Sequence, residues 1–361
     1  MKVICSTCRR SLTLPDERLP QTESITFACP TCKAMIEVDL RPRLSGESPH
    51  PRRKTAGRDG RAGVTAHDVE GLPSGEKLMK RILKTAKDLP PMPQTTLKAH
   101  EIIKNPNASF EDLANVMEMD QAIATHVLRI ANSPYYGMSG TVSSIKHAST
   151  ILGLKVLEEL IVTSWSTRAL TNRMPGYGLA TGDLWQHSLG VAFGSKFIAA
   201  RKNPGMTNDA FSAGLIHDVG KLVLDPYILE RRDAFTAFLA DGKESFLSAE
   251  KAILGFDHGE IAAELCANWN VPKNLTTAIR YHHDPAASDG NQLAYVVHMA
   301  DVLAMMSGMG TGIDGLQYYM DEEVMAKLGM TSDNMSMTMM QIVEAVQGIA
   351  EDMLPTIHVV A

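Results

Sequence analysis

Between Asp183 and Asp301 the chain sets Asp183, His187, the pair His217-Asp218, His258, the pair His282-His283 and Asp301 into stretches that otherwise read as apolar helices. A buried imidazole or carboxylate is costly unless another group compensates it. A fold that hides those stretches must therefore bring these side chains to one another or to a shared ion. Imidazole and carboxylate together suit divalent transition metals: iron, manganese, cobalt, nickel or zinc ahead of magnesium or calcium. Asp183 and His187 lie four apart and share a helix face. His217 and Asp218, neighbours in the apolar run 214–222, would point about 100° apart on a helix. Such a pair can grip two sides of one ion, or the aspartate can bridge two. His258 opens a helix after Gly255-Phe256-Asp257, His282-His283 close another before Asp284-Pro285, and His298 and Asp301 stand three apart in the run 293–306.

From Glu76 onward apolar residues recur at helical spacing behind polar caps. Leu89-Pro90-Pro91-Met92-Pro93 stops one helix and Asn105-Pro106 another. Ser109 with Asp112 makes a capping-box-like start, and Asp120 opens the segment that runs through Ala131-Asn132-Ser133-Pro134. Gly153 separates two helical runs, 144–152 and 154–171, and residues 173–182, with three glycines and a proline, form a connector. The expectation is an all-α body in two helical subdomains, 76–172 and 180–350.

The front of the chain is different. Cys5-x2-Cys8 and Cys29-x2-Cys32, separated by 20 residues, have the spacing of a closed four-thiolate zinc site. Short alternating runs at 11–14, 24–28 and 35–40 supply strands for a small β zinc ribbon over residues 1–40. So few apolar residues are present there that the metal should contribute folding free energy. Residues 41–75, rich in Pro, Gly, Ser and Arg, read as a disordered, flexible basic linker. Residues 76–361 hold 23 basic against 32 acidic residues. That surface argues against wrapping nucleic acid, which leaves only a weak case for such binding through residues 1–61. No run of about 18 uncharged apolar residues appears, so nothing is expected to span a membrane, and the start of the chain has no signal-peptide pattern. Cytoplasm is the expected location. Cys266 reads as a buried core thiol.

The ordered set His187, His217-Asp218 and Asp301 resembles the HD superfamily of metal-dependent phosphohydrolases. Over about residues 76–350 the chain is similar to the HDOD branch, whose upstream signature is matched by Leu89-Pro90-Pro91-Met92-Pro93, Ala131-Asn132-Ser133 and Leu152-Gly153. The resemblance implies a helical HDOD/HD-type bundle in which His187, His217, Asp218 and Asp301 form the basic metal set. His258, His282 and His283 match the extra ligands of the multi-metal HD-GYP relatives, and Asp183 stands where those have a glutamate, although an aspartate before a helix reads first as an N-cap. Lys221 matches their lysine that faces substrate phosphate, so Lys221 and Asp218 are the catalytic candidates. A metal there would activate water for attack on phosphorus while Lys221 offsets charge on the phosphoryl oxygens. No Gly-Tyr-Pro follows His282-His283, so cyclic dinucleotide hydrolysis, tied to that motif, is not implied. HDOD proteins are generally signalling or regulatory modules without proven enzymatic activity.

Three readings follow. The first is a bacterial regulatory protein whose ribbon recruits a protein partner and whose helical body holds one or two metals. The second is a metal-dependent phosphohydrolase acting on a nucleotide or phosphodiester, and the third a nucleic-acid-binding regulator. His100, His126, His147 and His358 read as ordinary core or surface residues, and His298 as core or a support for a ligand. The methionine-rich stretches 299–309 and 325–340 read first as core, with a partner groove as the other option. The ribbon reading has a direct test: Cys5→Ser is expected to lose one zinc per chain by elemental analysis, and an unchanged zinc count would contradict it.

Overall fold

The structure, a computed structural model, describes residues 2–4, 11–13, 24–28 and 35–39, and 72–353 apart from 87–97, 100, 103–104, 106–108, 119–120, 138–139, 241, 243, 311 and 313–321. The cysteines Cys5, Cys8, Cys29 and Cys32, the linker up to residue 71, Leu89-Pro90-Pro91-Met92-Pro93, His100, Asp120 and His358 therefore lie outside the described residues. The chain divides into two units, 1–62 and 63–361. In the first, β1 (Lys2–Ile4) pairs antiparallel with β2 (Ser11–Thr13), and β3 (Ser24–Ala28) with β4 (Met35–Asp39).

The second unit is helical. It runs α1 (Gly75–Thr85), α2 (Phe110–Glu118), α3 (Gln121–Ala131), α4 (Ile145–Leu170), α5 (Asp183–Lys202), α6 (Thr207–Ile216) and α7 (Gly220–Glu230). There follow α8 (Arg232–Phe238), α9 (Phe246–Leu254), α10 (His258–Asn268), α11 (Lys273–Arg280), α12 (Gln292–Met306), α13 (Glu322–Leu328) and α14 (Ser332–Met353). After residue 72 the described strand-like pairing is one bridge, Met174 with Leu179. No helix among the described residues is long and apolar enough to cross a membrane.

Local chemistry explains the boundaries. Ser109 and Asp112 exchange bonds as a capping box: the Asp112 N–H donates to Ser109 Oγ at 3.1 Å and the Ser109 N–H to Asp112 Oδ2 at 2.9 Å. Ser144 caps α4 by accepting from the His147 N–H. Gly153, at φ 82° and ψ 162°, breaks α4 where the sequence separated two runs. Asn132 ties the end of α3 to the loop before α4, donating to the Val142 carbonyl at 2.9 Å and accepting from its N–H at 2.8 Å.

Packing then places the functional stretch at the centre. In α12 every residue from Leu293 to Met305 is buried, and α6 is buried from Ala210 to Ile216. A helix apolar all round has to lie inside. Helix α5 packs on both and on α14, with Gly190 and Gly194 facing α12 and Ile342 of α14. Buried apolar residues form one cluster from Leu78 to Ala350, so the helices of 76–172 and of 180–350 share a core. Cys266 is fully buried within it, and burial pushes its thiol up to about 12. The methionines divide: Met299, Met305, Met330 and Met335 are buried, whereas Met337 and Met340 are exposed. Core packing thus accounts for part of the methionine excess.

The approach of α6 to α5 depends on Gly214. A Cβ there would lie 2.8 Å from the Val191 carbonyl oxygen and 3.0 Å from Ala192 Cα, both backbone atoms that cannot step aside. Gly214→Ala is therefore expected to destabilise the unit by about 1–3 kcal/mol through overpacking. Urea unfolding checks this, and an unchanged midpoint would contradict the close-packed interface.

Candidate metal centre

Five segments converge on one buried cluster. Helix α5 supplies His187 from its second turn, α12 supplies Asp301, and α10 supplies His258 at its first position, behind the N-cap Asp257. His217 and Asp218 sit in the tight turn joining α6 to α7, where the sequence suggested a continuous helix. His282 and His283 follow the end of α11 at Arg280. Gly220 leaves no room for a Cβ beside the His258 carbonyl, so the start of α7 lies directly on the start of α10.

Asp218 stands at the centre. Its Oδ2 lies 3.6 Å from His187 Nε2 and 3.4 Å from His217 Nε2, while its Oδ1 lies 3.3 Å from His258 Nε2 and 3.9 Å from His282 Nε2. Each carboxylate oxygen thus faces a different pair of imidazoles. On the Oδ2 side Asp301 Oδ1 comes within 3.1 Å of His187 Nε2 and 3.9 Å of His217 Nε2. On the Oδ1 side His283 Nε2 lies 2.7 Å from His258 Nε2. Lys221, one turn on in α7, brings its Nζ to 2.9 Å from Asp218 Oδ2.

The donors fit divalent metal ions. Three overlapping groups, His187-His217-Asp218, His217-His282-Asp301 and His258-His282-His283, have one ligand atom per residue within 4.8 Å of the others. His217 and His282 donate through Nδ1 to the carbonyls of Gly214 (2.8 Å) and Ile279 (2.6 Å), which leaves each Nε2 lone pair aimed inward. Those two Nε2 atoms are buried without a hydrogen-bond partner. A buried acceptor left so is unusual in a folded protein, and a cation is the partner that imidazole lone pairs and carboxylate oxygens share.

Electrostatics point the same way. Burial, together with His217 and His258, pushes His282 down to about 3; desolvation and its histidine neighbours hold His283 well below the usual range, and burial lowers His217. These rings are neutral near pH 7, the ligating form. Burial alone would raise Asp218 and Asp301, yet the surrounding imidazoles and, for Asp218, Lys221 hold both below the usual carboxylate range. Burial likewise works against a charged His187 or His258. The hydrogen bond and charge of Asp301 nevertheless raise His187, and the Glu250 carboxylate raises His258 to about 9.

Asp183 stands at a helix start, the first of the two roles open to it. It takes the first position of α5, its Oδ2 accepts the Ala180 N–H at 2.7 Å, and it belongs to none of the donor groups. A carboxylate at a helix start is held there by the turn before it. His298 supports the cluster indirectly, donating from Nδ1 to the His282 carbonyl at 2.7 Å. Two residues beside the cluster were missed in the sequence: Glu250, whose Oε2 accepts from His258 Nδ1, and Tyr177, whose hydroxyl donates to Glu250 Oε1. Glu250 was detectable: it shares the buried face of α9 with Phe246, Ala249, Ile253 and Leu254, where a carboxylate needs a partner.

Comparison with known proteins identifies the family and the fold. The HDOD domain family matches residues 89–285, more than half of the chain, and the protein belongs to that family. The crystal structure of an HDOD domain protein of unknown function from Geobacter sulfurreducens is 25% identical, with a TM-score of 0.62, over 77% of this chain and 98% of that one. A candidate signal transduction protein from Marinobacter aquaeolei VT8 has the same fold at 24% identity and a TM-score of 0.62, over 92% of this chain and 76% of that one. So does a candidate phosphohydrolase from Shewanella amazonensis SB2B, at 22% and 0.57, over 75% and 96%. An uncharacterized protein of Treponema pallidum (strain Nichols) is 25% identical over 61% of this chain, and the match spans 42% of that relative's length.

Because His258 holds a proton below about pH 9 and an ion takes the neutral ring, metal binding is expected to release a proton near pH 7.5. Affinity should rise roughly tenfold per pH unit toward pH 9 and level off above it. Calorimetry in two buffers of different protonation enthalpy measures the release. Binding without it would contradict the assignment.

Proposed function

We propose that this HDOD protein is a regulatory module in which a buried cluster of His187, His217, Asp218, His258, His282, His283 and Asp301 holds one or two divalent transition metal ions as the ordering centre of a sensor or output domain. The observation that carries the reading is burial: His217 and His282 are 0% exposed and Asp218 1%. A phosphodiester could approach such donors only from the side of His283, which is half-buried, because the others are enclosed. On the α5 side the backbone at Gly310 lies against the His187 ring so closely that a Cβ would come within 2.5 Å of it. An ion held by such a set stabilises the folded arrangement by binding it alone.

The chain's own residues divide the work. His217 and His282, their Nδ1 protons committed to backbone carbonyls, present fixed lone pairs. Asp218 spans the two sides and Asp301 adds a second negative charge near His187. Lys221 offsets the Asp218 charge. In this reading residues 1–40 form a zinc ribbon on Cys5, Cys8, Cys29 and Cys32 that engages a protein partner through the basic linker. The cysteine spacing supports that part.

The second reading is a phosphohydrolase. The observation in its favour is Lys221, an ammonium beside the central carboxylate that could neutralise a phosphoryl oxygen. Among the solved structures with this fold one is described as a candidate signal transduction protein and another as a candidate phosphohydrolase. A fold shared by both does not choose between them.

Two measurements on one preparation separate the readings. Loading with manganese, iron or zinc is expected to raise the melting temperature by at least about 5 °C. Turnover of a nucleotide and phosphodiester panel should stay far below ordinary enzyme rates of about 1 per second. Rates at or above that level, lost in His217→Ala, would replace the regulatory reading with the hydrolase.

A further inference from the structure

Building on the metal-holding reading, we propose that Glu250 is the positioning residue that sets His258 as a metal ligand. Tyr177, carried by the connector 173–182, holds Glu250 in place and so links the connector to the three-imidazole half of the cluster. The cysteine spacing and the family resemblance assign neither residue a role.

Glu250 is fully buried, and its two oxygens have separate partners. Oε2 accepts from the backbone N–H of His258 at 3.0 Å and from its Nδ1 at 2.8 Å, so one oxygen fixes both the start of α10 and the tautomer of the ring. The opposite nitrogen, Nε2, is thereby aimed at His283 and at Asp218 Oδ1. An imidazole whose far nitrogen donates to a carboxylate is a better-oriented and more basic ligand than one that donates to a carbonyl. Among the three imidazoles on this side, His258 has that carboxylate, while His282 has the Ile279 carbonyl.

Oε1 accepts the Tyr177 hydroxyl at 2.6 Å. Tyr177 is fully buried, stands edge-on to His258 with ring centroids 6.5 Å apart, and has Lys221 Nζ 5.5 Å from its ring centre. A single phenol therefore contacts both the Glu250–His258 arm and the Lys221–Asp218 arm. Its own position is set from α7: Asp225 Oδ1 accepts from the Gly176 N–H at 2.7 Å and the Tyr177 N–H at 3.2 Å. A Cβ at Gly176 would collide with the Asp225 carbonyl, so the turn closes on Asp225 only with glycine there. The mutual bonds of Met174 and Leu179 close the other end. The connector joins α4 to α5. A shift between those helices would be felt at Tyr177 and, through one carboxylate, at His258. Linkage makes the effect reciprocal, so an ion on the three-imidazole side must also steady the connector.

The test uses the full chain stripped of metal and titrated with Mn(II), which prefers nitrogen and oxygen donors and avoids competition from the four cysteines. The wild-type protein should bind two ions, giving the electron-paramagnetic-resonance signature of a coupled pair. Glu250→Gln should keep one and weaken the other about 10- to 100-fold, leaving the spectrum of an isolated ion. Tyr177→Phe, which removes one oxygen, should weaken the same ion by a smaller factor. In the wild type, Mn(II) should slow hydrogen exchange in the peptide 173–182, and this protection should be lost in Tyr177→Phe. Unchanged second-ion affinity and a coupled spectrum in both variants would overturn this inference while leaving metal binding intact. If the wild type binds no Mn(II) that His217→Ala removes, the metal reading and the inference fall together. Should Glu250→Gln not fold, Tyr177→Phe decides by the same criteria.

Discussion

One carboxylate organises the molecule. Asp218 sits 1% exposed with an imidazole pair facing each of its oxygens and an ammonium at 2.9 Å. A lone buried aspartate would be destabilising by several kcal/mol. It is tolerated because five segments of chain, spread from His187 to Asp301, deliver compensating groups to the same point. Tight joints serve that convergence: α6 against α5 at Gly214, α7 against α10 at Gly220, and the backbone at Gly310 against His187. Each excludes even a methyl group.

The surrounding helices hold this point rigid in two ways. All-round apolar helices such as α12 fix depth, and short polar bonds fix orientation: Gly214 and Ile279 carbonyls for two rings, Glu250 for a third, and His298 behind His282. The result is a set of pre-oriented imidazoles, of which His217 and His282 are neutral with their lone pairs already aimed, and this lowers the ordering entropy that an incoming cation would otherwise oppose. In the regulatory reading proposed above, such a centre makes the shape of the domain depend on occupancy.

Much of this was legible in the sequence. The ordered histidines and aspartates, the break at Gly153, the Ser109–Asp112 cap and the start of α10 at His258 all rest on local chemistry or simple periodicity. Other features depend on contacts far apart in the chain. Asp183 shares a helix face with His187, and spacing and the family resemblance made it a possible ligand beside its reading as a helix cap. The turn at Ala180 supplies its partner, a detail that the sequence does not fix. Tyr177 sits in a glycine-rich connector that reads as loop, and its importance comes from Glu250, 73 residues away. The two helical subdomains were expected from the connector, whereas the continuous core from Leu78 to Ala350 depends on side-chain packing between distant segments.

The central claim is that these donors share cations. Anomalous diffraction from crystals of the metal-loaded protein tests it most directly. The account predicts one or two peaks inside the bundle, at about 2.0–2.2 Å from Nε2 of His187 and His217 and from the oxygens of Asp218 and Asp301, with any second peak bounded by His258, His282 and His283. A loaded crystal with well-ordered helices and no anomalous density within coordination reach of Asp218 would contradict it.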